Sequence, residues 1–205
     1  MKKFMALLLV AGMTLSLTAC GGSTDTAKTD QAGGKDTFTV GFDQDFPPFG
    51  YVGDDGEFTG FDIEMATECA ARMGKKIVLQ PIDWDAKDME LEAGTIDCIW
   101  NGFTMNGRED QYTWTDPYMD NSQVVVVKKD SGINTLADLA GKVVEVQKES
   151  AAETALNDEE HADLMASFAQ LLSVGEYNTA FMNLEAGAAD AVAMDIGVAN
   201  YQIES

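Results

Sequence analysis

Residues 97–118 read DCIWNGFTMNGREDQYTWTDPY, and their order decides the fold. Residues 97–100 are a short apolar run that predicts a buried strand. Asn101, Gly102 and Thr104 follow as a turn-rich loop, and Arg108 comes four residues further on. An aromatic-laced segment then closes on Asp116-Pro117-Tyr118. Loops at the carboxyl ends of strands are where open α/β sheets hold small ligands. Arginine presents a planar fork of donors that grips a carboxylate with two parallel hydrogen bonds. The stretch is therefore expected to capture the carboxylate of an amino acid.

The chain upstream of this stretch reads as the first half of an α/β unit. Residues 37–42 alternate like a strand. Residues 43–51, DQDFPPFGY, carry two prolines, which predict an extended loop just past the strand end. That loop presents Asp43 and Phe46 as ligand candidates, with Phe49 as a hydrophobic plug over the sheet. Thr59 and Asp62 have the spacing of a capping box. Phe61, Met65, Cys69 and Met73 follow at i, i+4 spacing as a core-facing stripe, and Gly74 stops the helix. Residues 76–82 predict a strand, 83–84 a turn, and 85–93 a helix ended by Gly94. Trp84 is equally suited to lining a pocket and to packing.

Downstream, four consecutive valines within 122–129 predict a buried strand that links to a second lobe. A short helix over 135–140 and a strand over 142–147 come next. Ser150 and Glu153 have capping-box spacing, and the free N–H groups of that helix start also suit a carboxylate. Residues 157–173 are acidic and alanine-rich, with no clear division into elements. A helix over 178–186 stops at Gly187, and a strand over 190–194 ends beside Asp195. Leu91-Glu-Ala-Gly94 with Asp97 and Ile99 recurs as Leu184-Glu-Ala-Gly187 with Asp190 and Val192. This short echo suits two similar halves, through duplication or by coincidence. If the two strand ends face each other, Arg108 and Asp195 stand on opposite sides of one crevice. An arginine for a carboxylate and an aspartate for an ammonium complement a zwitterion.

The chain has 205 residues, 45% of them apolar, and a formal net charge of −22. It is long enough for one or two modest domains with a real core. The acidic balance argues against nucleic acid, which needs a basic surface. Lys2 and Lys3 precede an apolar run over 4–10, too short to be a comfortable membrane span. Leu17-Thr18-Ala19-Cys20 resembles the bacterial lipobox, in which the cysteine is lipidated and becomes the first mature residue; an ordinary cleaved signal is the alternative. The reading is a lipoprotein signal peptide over 1–19 and a flexible tether over 20–36, followed by a first lobe over 37–122 and an incomplete second lobe over 123–205. Cys69 and Cys98 either pair or serve as buried thiols. There is no CxxC pattern and only one histidine, His161, so neither a metal site nor a histidine-based triad is expected.

Together these residues resemble the bacterial extracellular solute-binding proteins of family 3, the polar amino-acid receptors of ABC transporters. The matching pieces include Gly41-Phe-Asp43 with Phe46-Pro-Pro-Phe49, Gly60-Phe-Asp62-Ile, Gly94-Thr-Ile-Asp97 and Asn101-Gly-Phe-Thr104. Arg108-Glu, Thr115-Asp-Pro-Tyr118, Val146-Gln with Ser150, and Asp190 with Asp195 complete them. The resemblance implies a two-lobed α/β fold of the type II periplasmic-binding-protein kind. It implies that Arg108 and the Ser150 helix start take the α-carboxylate, helped by Thr104, the Gly102 backbone and the Asn101 loop. Asp195 would take the α-ammonium, and Asp43 and Phe46 would face the ligand side chain, favouring one that carries hydrogen-bond donors. It further implies a monomer without cofactor that delivers an amino acid to an ABC transporter permease, lipid-anchored at the outer face of the membrane through Cys20.

Three departures stand against the family pattern. Glu149 replaces a common glycine, Ala151 lacks a common hydroxyl, and relatives run on past the position of Ser205, as if a return segment to the first lobe were missing. Two other classes compete with the binding protein: an enzyme that dehydrates a small carboxylate, and a sensor domain.

Overall fold

A computed structural model describes residues 36–204. The signal peptide expected over 1–19, the lipidation expected at Cys20 and all but the last residue of the tether expected over 20–36 lie outside the described residues. Strand β1 (Thr37–Phe42) leads into β2 (Asp45–Phe46) and β3 (Gly50–Val52), and β4 (Phe58–Thr59) completes a small antiparallel sheet with them. Helix α1 (Phe61–Arg72), strand β5 (Lys76–Pro81), a 3₁₀ turn (Trp84–Ala86), helix α2 (Lys87–Ala93) and strand β6 (Cys98–Ile99) follow. Strands β5, β1 and β6 form a parallel sheet in that order, with Thr37 opposite Lys76 and Val40 opposite Cys98.

Three expectations need correction here. Within 43–51, expected as an extended loop, residues 45–51 form a paired hairpin. Pro47 and Pro48 sit in its turn, where a missing N–H breaks no ladder bond. The α1 stripe also has a different phase. Phe61 and Met73 are 47% and 46% exposed, whereas Ile63, Ala66 and Ala70 face inward. The small side chains of Ala66 and Ala70 let the helix approach closely, and the longer residues turn outward.

The start of α1 differs as well. Gly60, not Thr59, is the N-cap, and no side chain caps the helix. The N–H groups of Phe61 and Asp62 donate instead to the carbonyls of Pro48 and Phe49, each at 2.9 Å. A Cβ on Gly60 would lie 2.4 Å from the Phe49 carbonyl oxygen, at a φ of 123°. Only glycine fits this approach.

The second half comprises β7 (Gln123–Val127), a 3₁₀ turn (Leu136–Leu139), β8 (Val143–Gln147) and α3 (Ala151–Leu156). A 3₁₀ turn (Glu159–His161), α4 (Ala162–Ser167) and β9 (Gln170–Val174) resolve the stretch that the sequence left undivided. Helix α5 (Tyr177–Ala186), β10 (Ala191–Asp195) and α6 (Ile196–Glu204) complete it. The sheet order is β7-β10-β8-β9, with β7 antiparallel to β10 and the other pairs parallel. All five residues of β10 are buried, as a central strand covered on both faces requires.

Phe46 and Phe49 from the hairpin share one apolar cluster with Tyr177, Met194, Val198 and Ala199. A Cβ on Gly197 would lie 2.6 Å from the Phe49 ring, so α6 packs directly on the plug. Cys69 and Cys98 are free thiols, both partly buried, and burial pushes the Cys98 thiol up to about 12. Among the described residues no helix is long and apolar enough to cross a membrane.

Candidate functional site

The parallel strands deliver their carboxyl ends to one place. β1 ends at Phe42, one residue before Asp43; β6 runs into Asn101 and Gly102; β8 ends at Gln147, three residues before Ser150; and β10 ends on Asp195. Phe46, Asn101, Gly102, Thr104, Arg108, Ser150 and Asp195 line a single cavity, with Trp84, Phe103, Gln147 and Ala151 between them. Seven of the eight residues expected from the sequence therefore share one set of walls. Asp43 stands just outside, on a neighbouring cavity that shares Trp84.

Arg108 is 8% exposed and lines the first of these cavities. One Nη donates to the Thr104 carbonyl at 3.3 Å, and the other to the Glu149 carbonyl and Thr154 Oγ1 at 3.1 and 3.2 Å. The Phe103 ring lies 5.1 Å from the guanidinium. These contacts engage three of its five N–H groups.

Asp195 is 6% exposed, and burial raises its pKa, while hydrogen bonds from Asn121 and Gln123 and the positive charge of Arg108 hold it down. Both side-chain donors fall on Oδ1, that of Gln123 at 2.7 Å. Neither of them reaches Oδ2. The guanidinium and the carboxylate thus sit on one cavity and feel each other's charge.

Asp43 is buried and its pKa is pushed up to about 6 by that burial, which outweighs a hydrogen bond from its neighbour Asp45 and one from Gln147. Gln147 Nε2 donates across the lobes to Asp43 Oδ2 at 2.6 Å. Asn101 Oδ1 accepts from the Asp43 N–H at 2.9 Å, which ties the two strand-end loops together. Ser150 caps α3 by accepting from the Glu153 N–H at 3.1 Å. Glu153 does not return the bond to Ser150, as a full capping box would; its carboxylate takes the Glu149 N–H at 2.6 Å. The Gly102 N–H, expected to face a carboxylate, donates to Tyr118 Oη at 3.0 Å, and that hydroxyl donates to Asp62 at 2.8 Å.

The cavity between Arg108 and Asp195 measures about 10 Å³, close to the space of one water molecule. An amino acid enters only if the walls move apart. The neighbouring cavity measures about 530 Å³, within the range of small-molecule sites. Its wall carries Asp43, Asp45, Asp83, Asp85, Glu90 and Glu176.

Sequence reasoning gave Gln147 no role, although it ends β8 as Asp195 ends β10. Lys87 was missed altogether. It is 3% exposed and pairs with Glu149 at 2.7 Å. Nothing in the local pattern of α2 marks it, because its partner lies 62 residues away.

Residues 38–181 match the family model of the bacterial extracellular solute-binding proteins, family 3, and the chain belongs to that family. It is 36% identical to the arginine-binding extracellular protein ArtP of Bacillus subtilis, over 72% of this chain and 56% of that protein. It is 31% identical to the L-cystine-binding protein TcyJ of Escherichia coli, over 93% of this chain and 69% of that protein. A solved ABC uptake transporter substrate-binding protein from Streptococcus pneumoniae, with bound histidine, superposes with a TM-score of 0.78 at 36% identity. That match covers 82% of this chain and 70% of the other. The chain thus spans little more than half the length of ArtP.

Proposed function

We propose that the protein captures a free amino acid between its lobes and hands it to the permease of an ABC transporter, working outside the cytoplasm and held to the membrane by a lipid on Cys20. The observation that carries this reading is that Arg108, from the first lobe, and Asp195, from the second, line one cavity. One group suits an α-carboxylate and the other an α-ammonium. Relatives that bind arginine, cystine and histidine support the ligand class.

The ligand side chain points toward Asp43 and the acidic cavity behind it. A row of carboxylates there favours a side chain with a cation or several donors, arginine before glutamine. Phe46 forms the apolar side of the same passage.

A thermal-shift screen of the purified protein against the twenty amino acids tests the proposal, since a ligand that binds only the folded state raises its stability with concentration. Basic amino acids are expected to give the largest shifts and to be recovered unaltered. Turnover of the ligand would favour the enzymatic alternative, and no shift with any amino acid would refute amino-acid capture.

A further inference from the structure

Glu149 has a φ of 57°, the only positive φ of a non-glycine among the described residues. A side chain in this left-handed conformation costs about 1–2 kcal/mol relative to the right-handed one, and glycine would avoid the cost. Something must hold the residue there.

Three contacts meet at it. Its N–H donates to Glu153 Oε2 at 2.6 Å within the second lobe. Its carbonyl accepts from Arg108 Nη2 at 3.1 Å, and its carboxylate accepts from Lys87 Nζ at 2.7 Å. Arg108 and Lys87 both belong to the first lobe. One strained residue of the second lobe therefore grips two cations of the first.

The environment gives the Lys87 contact weight. The Lys87 side chain is 3% exposed, and its ammonium lies 5.3 Å from the centre of the Trp84 ring. A buried ammonium needs an anionic partner, and Glu149 supplies it across the lobe boundary. A second bridge, Lys148 to Asp85 at 2.7 Å, crosses the same boundary with the charges reversed. Its side chains are 55% and 37% exposed, so solvent screens it.

We propose that Glu149 is a positioning residue: its carboxylate, clasped by Lys87, holds the lobes together, and its carbonyl holds one arm of the Arg108 fork over the cavity. An unpaired acid at this position would repel an incoming carboxylate, but Glu149 is paired. Its charge is neutralised by Lys87 instead of opposing an incoming carboxylate. The role in ligand retention rests on the amino-acid-binding reading, but the closure does not.

Glu149→Gln and Lys87→Met each remove the ion pair and leave the left-handed backbone in place. Glu149→Gly removes the carboxylate and relieves the strain together. Small-angle scattering on the ligand-free protein decides the closure. All three variants are expected to show a larger radius of gyration than the parent, while Glu149→Gly unfolds at equal or higher denaturant concentration. A residue that served only the turn before α3 would give Glu149→Gly the same gain in stability with no change in size. Unchanged dimensions in folded variants overturn the proposal.

Calorimetry with the amino acid that gives the largest thermal shift reads retention. Each single variant is expected to bind roughly five- to tenfold more weakly, through faster release. The Lys87→Met/Glu149→Gln double variant should lose no more than either single one. Parent binding with fully additive losses contradicts the clasp. Absence of parent binding sinks the functional reading and leaves the scattering result to judge the clasp alone.

Discussion

Asp195 and Asp43 are both buried carboxylates whose pKa values burial raises, yet they face different cavities and predict different effects. Asp195→Asn keeps the shape and the hydrogen-bonding oxygen but removes a charge that the fold holds at a cost. The ligand-free protein is expected to be as stable as the parent or more so, by urea denaturation. Amino-acid affinity should fall at least about tenfold, because the ammonium loses its counter-charge in a desolvated place. An unchanged affinity would remove Asp195 from the site.

Asp43 and Asp62 both titrate near 6, against an ordinary value of 3.8, and desolvation is the main cause for each. The folded protein therefore retains protons that the unfolded chain has released between about pH 4 and 6. The stability contributed by these groups is full below 3.8 and is lost as the pH rises through about 6. Affinity for a cationic side chain runs the other way, because Asp43 must be ionised to attract it. Between pH 7 and pH 5 these groups should raise the ligand-free melting temperature while the arginine-dependent shift shrinks. A ligand shift that grows on acidification would contradict the assignment of Asp43.

At the scale of elements, the repeated Leu-Glu-Ala-Gly stops are the most literal link between sequence and structure. α2 ends at Gly94 with φ 70°, and α5 ends at Gly187 with φ 78°. Each turns the chain into a strand, β6 or β10, that carries site residues at its end. No atom lies within 4 Å of a Cβ built on Gly187, so only the backbone conformation resists substitution there. Gly187→Ala should destabilise the protein by about 1–2 kcal/mol in urea denaturation, with ligand affinity per folded molecule unchanged. A neutral result would mean that the αL turn is not required.

Strands β1, β5, β7, β8 and β10 were legible because their apolar runs have clear ends. The phase of α1 was not, because Ala66 and Ala70 carry little hydropathy and decide the packing through their small size. The hairpin of β2 and β3 was hidden behind Pro47 and Pro48, whose local effect suggests a loop when the partner strand is out of view. α6 follows β10 with no turn between them, so no break in the sequence marks its start.

For the whole molecule, seven of the eight expected site residues converge because they stand at the ends of parallel strands, which the alternation of strand and helix already implied. Partners across the lobes did not follow from the sequence. Gln147 with Asp43, Lys87 with Glu149 and Lys148 with Asp85 are separated by at least 62 residues along the chain, and no local pattern pairs them. The narrow gap between Arg108 and Asp195 and the larger acidic cavity beside it likewise draw their walls from segments far apart in the chain.

Every functional inference depends on a carboxylate being taken by Arg108. Isothermal titration of arginine and the other amino acids into the parent and into Arg108→Ala measures this most directly. The parent is expected to bind one molecule per chain, and the variant to lose about a hundredfold or more in affinity for every amino acid that the parent takes. An Arg108→Ala protein that is folded and binds with the parent's affinity would contradict the account.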